Sequence, residues 1–98
     1  MLNPTPLDRM VDRQGRPYFL WDCDMTLAEF QRRLVSSNAA EQAYLIGKLM
    51  RQAKPDDVFL FAPARLIRQR WPEIERHLGK TRAFWRWLLG CWERQGRV

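Results

Sequence analysis

The sequence predicts an all-α protein, a compact bundle of five to six short helices preceded by an extended aromatic segment. Three observations carry the prediction. Apolar residues recur at three- and four-residue spacing between residues 26 and 95, whereas no pair of segments alternates apolar with polar as half-buried strands do. Helix-start signals recur along the chain, with Thr26, Asn38 and Thr81 each preceding an apolar-periodic stretch. Pro55, Pro63, Pro72, Gly79 and Gly96 then cut the periodic stretches into short pieces, and loops this short force neighbouring helices into hairpins.

Taken in order, residues 1–16 hold two prolines, a glycine and mostly polar or charged side chains, which reads as a flexible arm. Residues 17–98 read as one helical domain. Pro17 precedes Tyr18-Phe19-Leu20-Trp21, a run too short for a helix and read as an extended segment or a single turn, with Phe19 and Trp21 as anchors on the core. Thr26-Leu27-Ala28-Glu29 has the form of a capping box, and about ten helical residues follow, with Leu27, Phe30 and Leu34 on one side. Ser36-Ser37-Asn38 interrupts, and Asn38 opens a second helix running to about Ala53. Gly47 in its middle costs about 1 kcal/mol against Ala, which is tolerated where another backbone approaches closely.

Pro55 opens a third helix with Asp56 and Asp57 at its positive end, and Val58-Phe59-Leu60-Phe61 is apolar all round, so burial is expected. Pro63 begins a helix that Pro72 is expected to close after Trp71. Glu73 to Leu78 form a turn of helix stopped by Gly79, near which His77 is expected to serve as a C-terminal cap. Thr81 then caps a last helix holding Phe84, Trp85, Trp87, Leu88, Leu89, Cys91 and Trp92.

Size and charge narrow the function classes. Ninety-eight residues make one domain, and five Trp with five Phe supply enough large side chains to fill its core. Seventeen Lys and Arg against eleven Asp and Glu give a net charge of +6, and all but Lys48, Lys54 and Lys80 of the basic residues are Arg. An arginine fork suits carboxylates, phosphates and aromatic faces, so an acidic partner is expected. Cys23 and Cys91 lack the spacing of a zinc site and His77 is the single histidine, so no metal and no cofactor are predicted. A Cys23–Cys91 disulfide is an open alternative to two reduced thiols. No run of about eighteen apolar residues occurs and the first residues lack the pattern of a signal peptide, so a cytoplasmic protein without membrane contact is expected.

One motif looks catalytic. Phe19-Leu20-Trp21-Asp22-Cys23-Asp24-Met25-Thr26-Leu27 resembles the first motif of the haloacid dehalogenase-type phosphatases. The resemblance implies a magnesium-dependent reaction with Asp22 as nucleophile and Asp24 as general acid. That chemistry sits on a doubly wound parallel sheet, and no succession of β-α-β units follows the motif here. The reading preferred on the residues is structural, with Thr26 as a helix cap and Asp24 near that helix's positive end. No catalytic residue is therefore assigned.

Arg16-Pro17-Tyr18-Phe19-Leu20-Trp21-Asp22, Ala43-Tyr44-Leu45-Ile46-Gly47-Lys48-Leu49-Met50 and Ala53-Lys54-Pro55-Asp56-Asp57-Val58 together resemble a group of small bacterial helical proteins. These are often encoded beside AbiEii-type nucleotidyltransferase toxins, and the resemblance spans roughly residues 16–71. It implies an antitoxin-like role by contact with a toxin protein and brings no catalytic residue with it. Arg82, Trp85, Arg86, Trp87 and Trp92 on the last helix are the candidate partner-binding residues, because Arg and Trp dominate interface hot spots. Arg65, Arg68, Arg70 and Arg76, on two short helices around Trp71-Pro72, form the alternative: a helix-turn-helix-like surface for nucleic acid.

Overall fold

Helix α3 (Ala39–Gln52) organises the fold. In the computed structural model, which describes residues 4–36 and 38–96, it is preceded by α1 (Leu7–Met10) and α2 (Leu27–Ser36) and followed by α4 (Pro55–Phe61), α5 (Ala64–Gln69), α6 (Trp71–Ile74) and α7 (Arg82–Arg94). Single 3₁₀ turns occupy Tyr18–Leu20, Glu75–His77 and Gly79–Thr81, and no strand occurs among the described residues. The fold is all-α. A lone antiparallel bridge joins Val11 to Pro17.

α3 is central because it is buried on most of its circumference. Ala43, Leu45, Ile46, Gly47, Lys48, Leu49 and Met50 are all buried, a wider span than a single apolar stripe provides. α2, α4, α6 and all three 3₁₀ turns pack directly on it. Around it close Phe19, Phe30, Ile67, Ile74, Leu78 and Trp85, each at most 1% exposed. Phe19 lies 5.6 Å from Phe30 at a steep angle and 5.8 Å from Phe61, so one aromatic cluster joins the Tyr18–Leu20 turn to α2 and α4.

Both predicted caps of the first two long helices form. The Thr26 hydroxyl accepts the Glu29 amide at 3.1 Å, and the Asn38 side chain accepts the Glu41 amide at 2.8 Å. α2 covers ten residues, as its periodicity predicts, with Phe30 and Leu34 buried.

Several expectations are corrected. Residues 4–16 pack against the domain: Met10 is 3% exposed, the Leu27 amide donates to the Gly15 carbonyl at 2.8 Å, and Thr5 bonds to Asp57 of α4. The residues of that arm numbered 1–3 lie outside the described residues, as do Ser37 and residues 97–98. Trp21 does not anchor the core; the 3₁₀ turn buries Phe19 and Leu20 and leaves Trp21 74% exposed. Leu60 is half exposed because a seven-residue helix lying on α3 has an outer side whatever its composition. Pro72 starts α6 rather than ending α5; it stands in the first turn, where a missing N–H costs nothing. Thr81 is itself helical and its hydroxyl donates backwards to the Leu78 carbonyl at 2.7 Å, so α7 grows out of the preceding turn without a side-chain cap. His77 lies against α3 instead of capping a helix.

Candidate partner-binding surface

α7 sorts its aromatic residues by position. Trp85 and Leu89, four residues apart, face the core, and Trp85 is 1% exposed with its indole N–H donating to the Met50 carbonyl at 3.0 Å. Trp92, a further turn on, is half-buried with its ring 4.5 Å from Phe59. Trp87 is two residues and about 200° around the helix from Trp85, so it points outward, and it is 60% exposed. Phe84, three residues before it, is 44% exposed, and the two rings lie 6.2 Å apart. Of the five residues the sequence singles out on this helix, Trp85 and Trp92 are packing residues, and Trp87, Arg82 and Arg86 are surface ones. Phe84 joins them; its i, i+3 spacing from Trp87 was the signal for it.

Glu75 holds both arginines. Its carboxylate pairs with Arg86 and, at 4.0 Å, with Arg82. Glu75 thereby offsets part of the charge of both guanidinium groups. Phe84 and Trp87 form an exposed apolar ridge on α7, and at about 100° per residue Arg82 and Arg86 occupy a different side of the helix.

The alternative arginines are dispersed. Arg68 of α5 pairs with Glu93 of α7 at 2.8 Å, which fastens the two helices together. Arg65, Arg70 and Arg76 make no ion pair with any described residue. α6 is a single four-residue turn with Ile74 buried and Pro72 exposed, shorter than the second helix of a helix-turn-helix.

Asp22 and Asp24 bond to different partners. Lys48 of α3, only 6% exposed, donates to Asp22 at 2.6 Å, and Gln52 adds a bond at 3.3 Å. The Lys48 bond holds the Asp22 carboxyl below its ordinary range. Asp24, whose side chain is 90% exposed, bonds instead to Arg16 at 3.1 Å. Cys23 between them is a free thiol, as is Cys91. No group of three or more His, Cys, Asp or Glu side chains suited to a metal occurs among the described residues.

Two features escape any local sequence pattern. Asp57 is fully buried and accepts from the Thr5 amide (2.6 Å), the Thr5 hydroxyl (2.6 Å) and the Tyr18 hydroxyl (2.5 Å). Burial pushes its carboxyl upward, but these bonds outweigh burial and leave it below the ordinary value. Tyr18, whose oxygen also accepts the Lys54 amide at 2.8 Å, is pushed up to about 12 by burial and by the bond to Asp57. Beside this network, an open apolar groove of about 930 Å³ runs between residues 4–15, the start of α2 and the end of α4, with Leu7, Met10, Leu27, Leu60 and Phe61 in its walls.

Asp22 pairs with Lys48, Tyr18 with Asp57, and Phe19 enters the core beneath α3. No helix among the described residues is long and apolar enough to cross a membrane. Comparison with known protein families, with curated proteins and with solved structures finds no match to this chain.

Proposed function

We propose that the chain is a non-catalytic, cytoplasmic binding protein that engages a protein partner through the outer face of α7, in an antitoxin-like role toward a nucleotidyltransferase-type toxin. The observation that carries the reading is the exposed Phe84–Trp87 ridge, on a helix that also presents Arg82 and Arg86 to solvent. Exposed tryptophan and phenylalanine with arginine on the same helix have the composition of an interface hot spot. The net charge of +6 favours a partner with an acidic surface and speeds their encounter. The toxin identity rests on the sequence resemblance.

The test is co-expression with a nucleotidyltransferase encoded beside the gene, followed by size-exclusion chromatography. A co-eluting complex is expected. Trp87→Ala weakens it by about ten- to a hundredfold, while the isolated variant keeps its fold. Absence of a complex at micromolar concentration overturns the reading. Magnesium-dependent phosphate release that vanishes in Asp22→Asn would overturn the non-catalytic part of it.

A second reading, as a nucleic-acid-binding regulator, is favoured by Arg65, Arg70 and Arg76, which carry charge that no described acidic residue offsets. Retardation of a fragment of its own promoter with steep salt dependence, in the absence of any protein complex, would put it first.

A further inference from the structure

The net charge of the chain is spread unevenly. Residues 1–62 hold eight Lys and Arg against eight Asp and Glu, whereas residues 63–98 hold nine against three, so the whole excess of +6 belongs to the stretch that forms α5, α6 and α7. Where these helices meet, a cavity of about 200 Å³ is lined by Arg68, Trp71, Arg86, Leu89, Gly90 and Glu93. Arg68 of α5 commits its Nε and Nη2 to Glu93, at 3.1 and 2.8 Å. Arg86 of α7 commits its Nη2 to Glu75, which Arg82 approaches to 4.0 Å. The Nη1 group of Arg68 and that of Arg86 donate to no described residue. Three guanidinium groups and two carboxylates thus share these linked pairs, and one positive charge is left unmatched. Gly90 keeps the cavity open. A Cβ built on it would meet only Arg94 Nη1, at 3.6 Å, an ordinary contact, so the fold itself does not require a glycine in the middle of this helix as it does at Gly47. Gly90 also lies three residues after Trp87, so the cavity adjoins the Phe84–Trp87 ridge.

We propose that this cavity receives the carboxylate of one aspartate or glutamate side chain of a protein partner, with Arg68 and Arg86 as donors and Trp71 and Leu89 against its methylene stem. The inference rests on the reading of α7 as a partner-binding face and adds the chemistry of the residue that this face grips. Three observations select a protein carboxylate over a phosphate. The same guanidinium groups already hold carboxylates within the fold, those of Glu75 and Glu93. The cavity is smaller than the ~300–1,000 Å³ of small-molecule sites, which leaves room for one side chain and not for a nucleotide. One unmatched positive charge balances one carboxylate. A phosphate monoester brings about −1.5 to −2, and a nucleic-acid strand repeats its charge along its length and calls for a row of free cations. Glu93 in the wall opposes any anion denser than a single carboxylate.

The probes are N-acetyl-glutamate amide and N-acetyl-glutamine amide, titrated at matched ionic strength. The Trp71 indole N–H is followed by NMR, its signal identified as the one lost in Trp71→Phe. A side chain detached from its partner binds weakly, so the glutamate compound is expected to saturate with a Kd of about 1–10 mM and the glutamine compound not to saturate. Arg68→Ala and Arg86→Ala each weaken the glutamate compound by about tenfold. Both remove members of exposed ion pairs, whose loss costs the fold little, and melting curves check that. Gly90→Ala is the sharper variant: it melts at or above the parent temperature, yet its methyl enters the cavity and weakens the glutamate compound by at least about threefold. Trp87→Ala leaves the titration unchanged, so the cavity and the toxin reading fail separately. Saturation by the glutamate compound without any complex with the nucleotidyltransferase upholds the cavity and removes the toxin as its occupant. A complex that forms while the glutamate compound fails to saturate overturns the cavity alone. Equal response to both compounds overturns the proposal, as does a Gly90→Ala variant that binds the glutamate compound like the parent. Dimethyl phosphate or a single-stranded oligodeoxythymidine that moves the Trp71 signal where the glutamate compound does not overturns it in favour of nucleic acid.

Discussion

Asp22 and Asp24 share a motif but perform different physical jobs. Asp22 neutralises Lys48, whose ammonium is nearly excluded from water, whereas Asp24 sits in solvent and shares Arg16 with Asp12. Removing the partner of a buried charge leaves that charge stranded, and removing an exposed partner does not. Asp22→Asn therefore lowers the urea midpoint markedly, while Asp24→Asn leaves it nearly where it was. Equal midpoints for the two variants would refute the assignment of Asp22 to the fold. Asp57 is the second buried acid, with three donors on it, and Asp57→Ala strands Thr5 and Tyr18 at a cost of about 2–3 kcal/mol in denaturant unfolding. Both limbs of the pH–stability curve report this network. The Asp57 pKa is lowered in the folded state, so its contribution is present above about pH 4 and is lost as pH falls through the folded value. Tyr18 is raised to about 12, so its contribution is complete below about pH 10 and is lost as pH rises toward 12. Tyr18→Phe flattens the alkaline limb relative to the parent; an unchanged alkaline limb would show that the hydroxyl does not carry it.

Among elements, the crossing of α3 by the Glu75–His77 turn is set by Gly47. Replacing a mid-helix glycine by alanine ordinarily gains about 1 kcal/mol. Here the added methyl meets the first carbon of the His77 side chain, which cannot swing away without moving the turn's backbone. Gly47→Ala is expected to destabilise by about 1–3 kcal/mol. The penalty persists in a His77→Ala background, which keeps the offending Cβ, and that persistence separates a backbone crossing from a simple ring clash. The sequence makes such a close approach legible at Gly47 without naming what approaches. α2 and α3 are equally legible, because a cap and its amide are three residues apart and an apolar stripe repeats within one helix. The stretch 71–81 is not: proline suits the first turn of a helix as well as the residue after its end, and only the packing of Ile74 and Leu78 on α3 decides between them. On α7, composition identifies an aromatic helix, but which tryptophan faces outward depends on where α3 and α4 lie. The Thr5–Asp57 bond spans 52 residues, a separation at which no local pattern speaks.

The whole molecule depends on its first residues more than their composition implies. Residues 4–16 contribute Met10 to the core, one wall of the apolar groove, and two donors to Asp57. They also supply the Gly15 carbonyl that accepts the first amide of α2. A small domain buries a modest share of its surface, so one segment of this kind is a large fraction of its margin. Burying one methionine is worth about 1.5–3 kcal/mol, and the loss of both Thr5 donors from a buried carboxylate adds about 2–3 kcal/mol. Deleting residues 1–13 is thus expected to lower unfolding stability by about 3–6 kcal/mol, enough to bring a domain of this size close to unfolding. A loose arm predicts no change at all, so a single denaturant titration of the truncated chain separates the two cases. Met10→Ala apportions the effect, since it removes the apolar contact and keeps the Thr5–Asp57 bonds. If the truncated chain unfolds at the parent midpoint while Met10→Ala does too, the segment rests on the domain without supporting it. If both fall, and the truncation falls further, the apparent arm is part of the core.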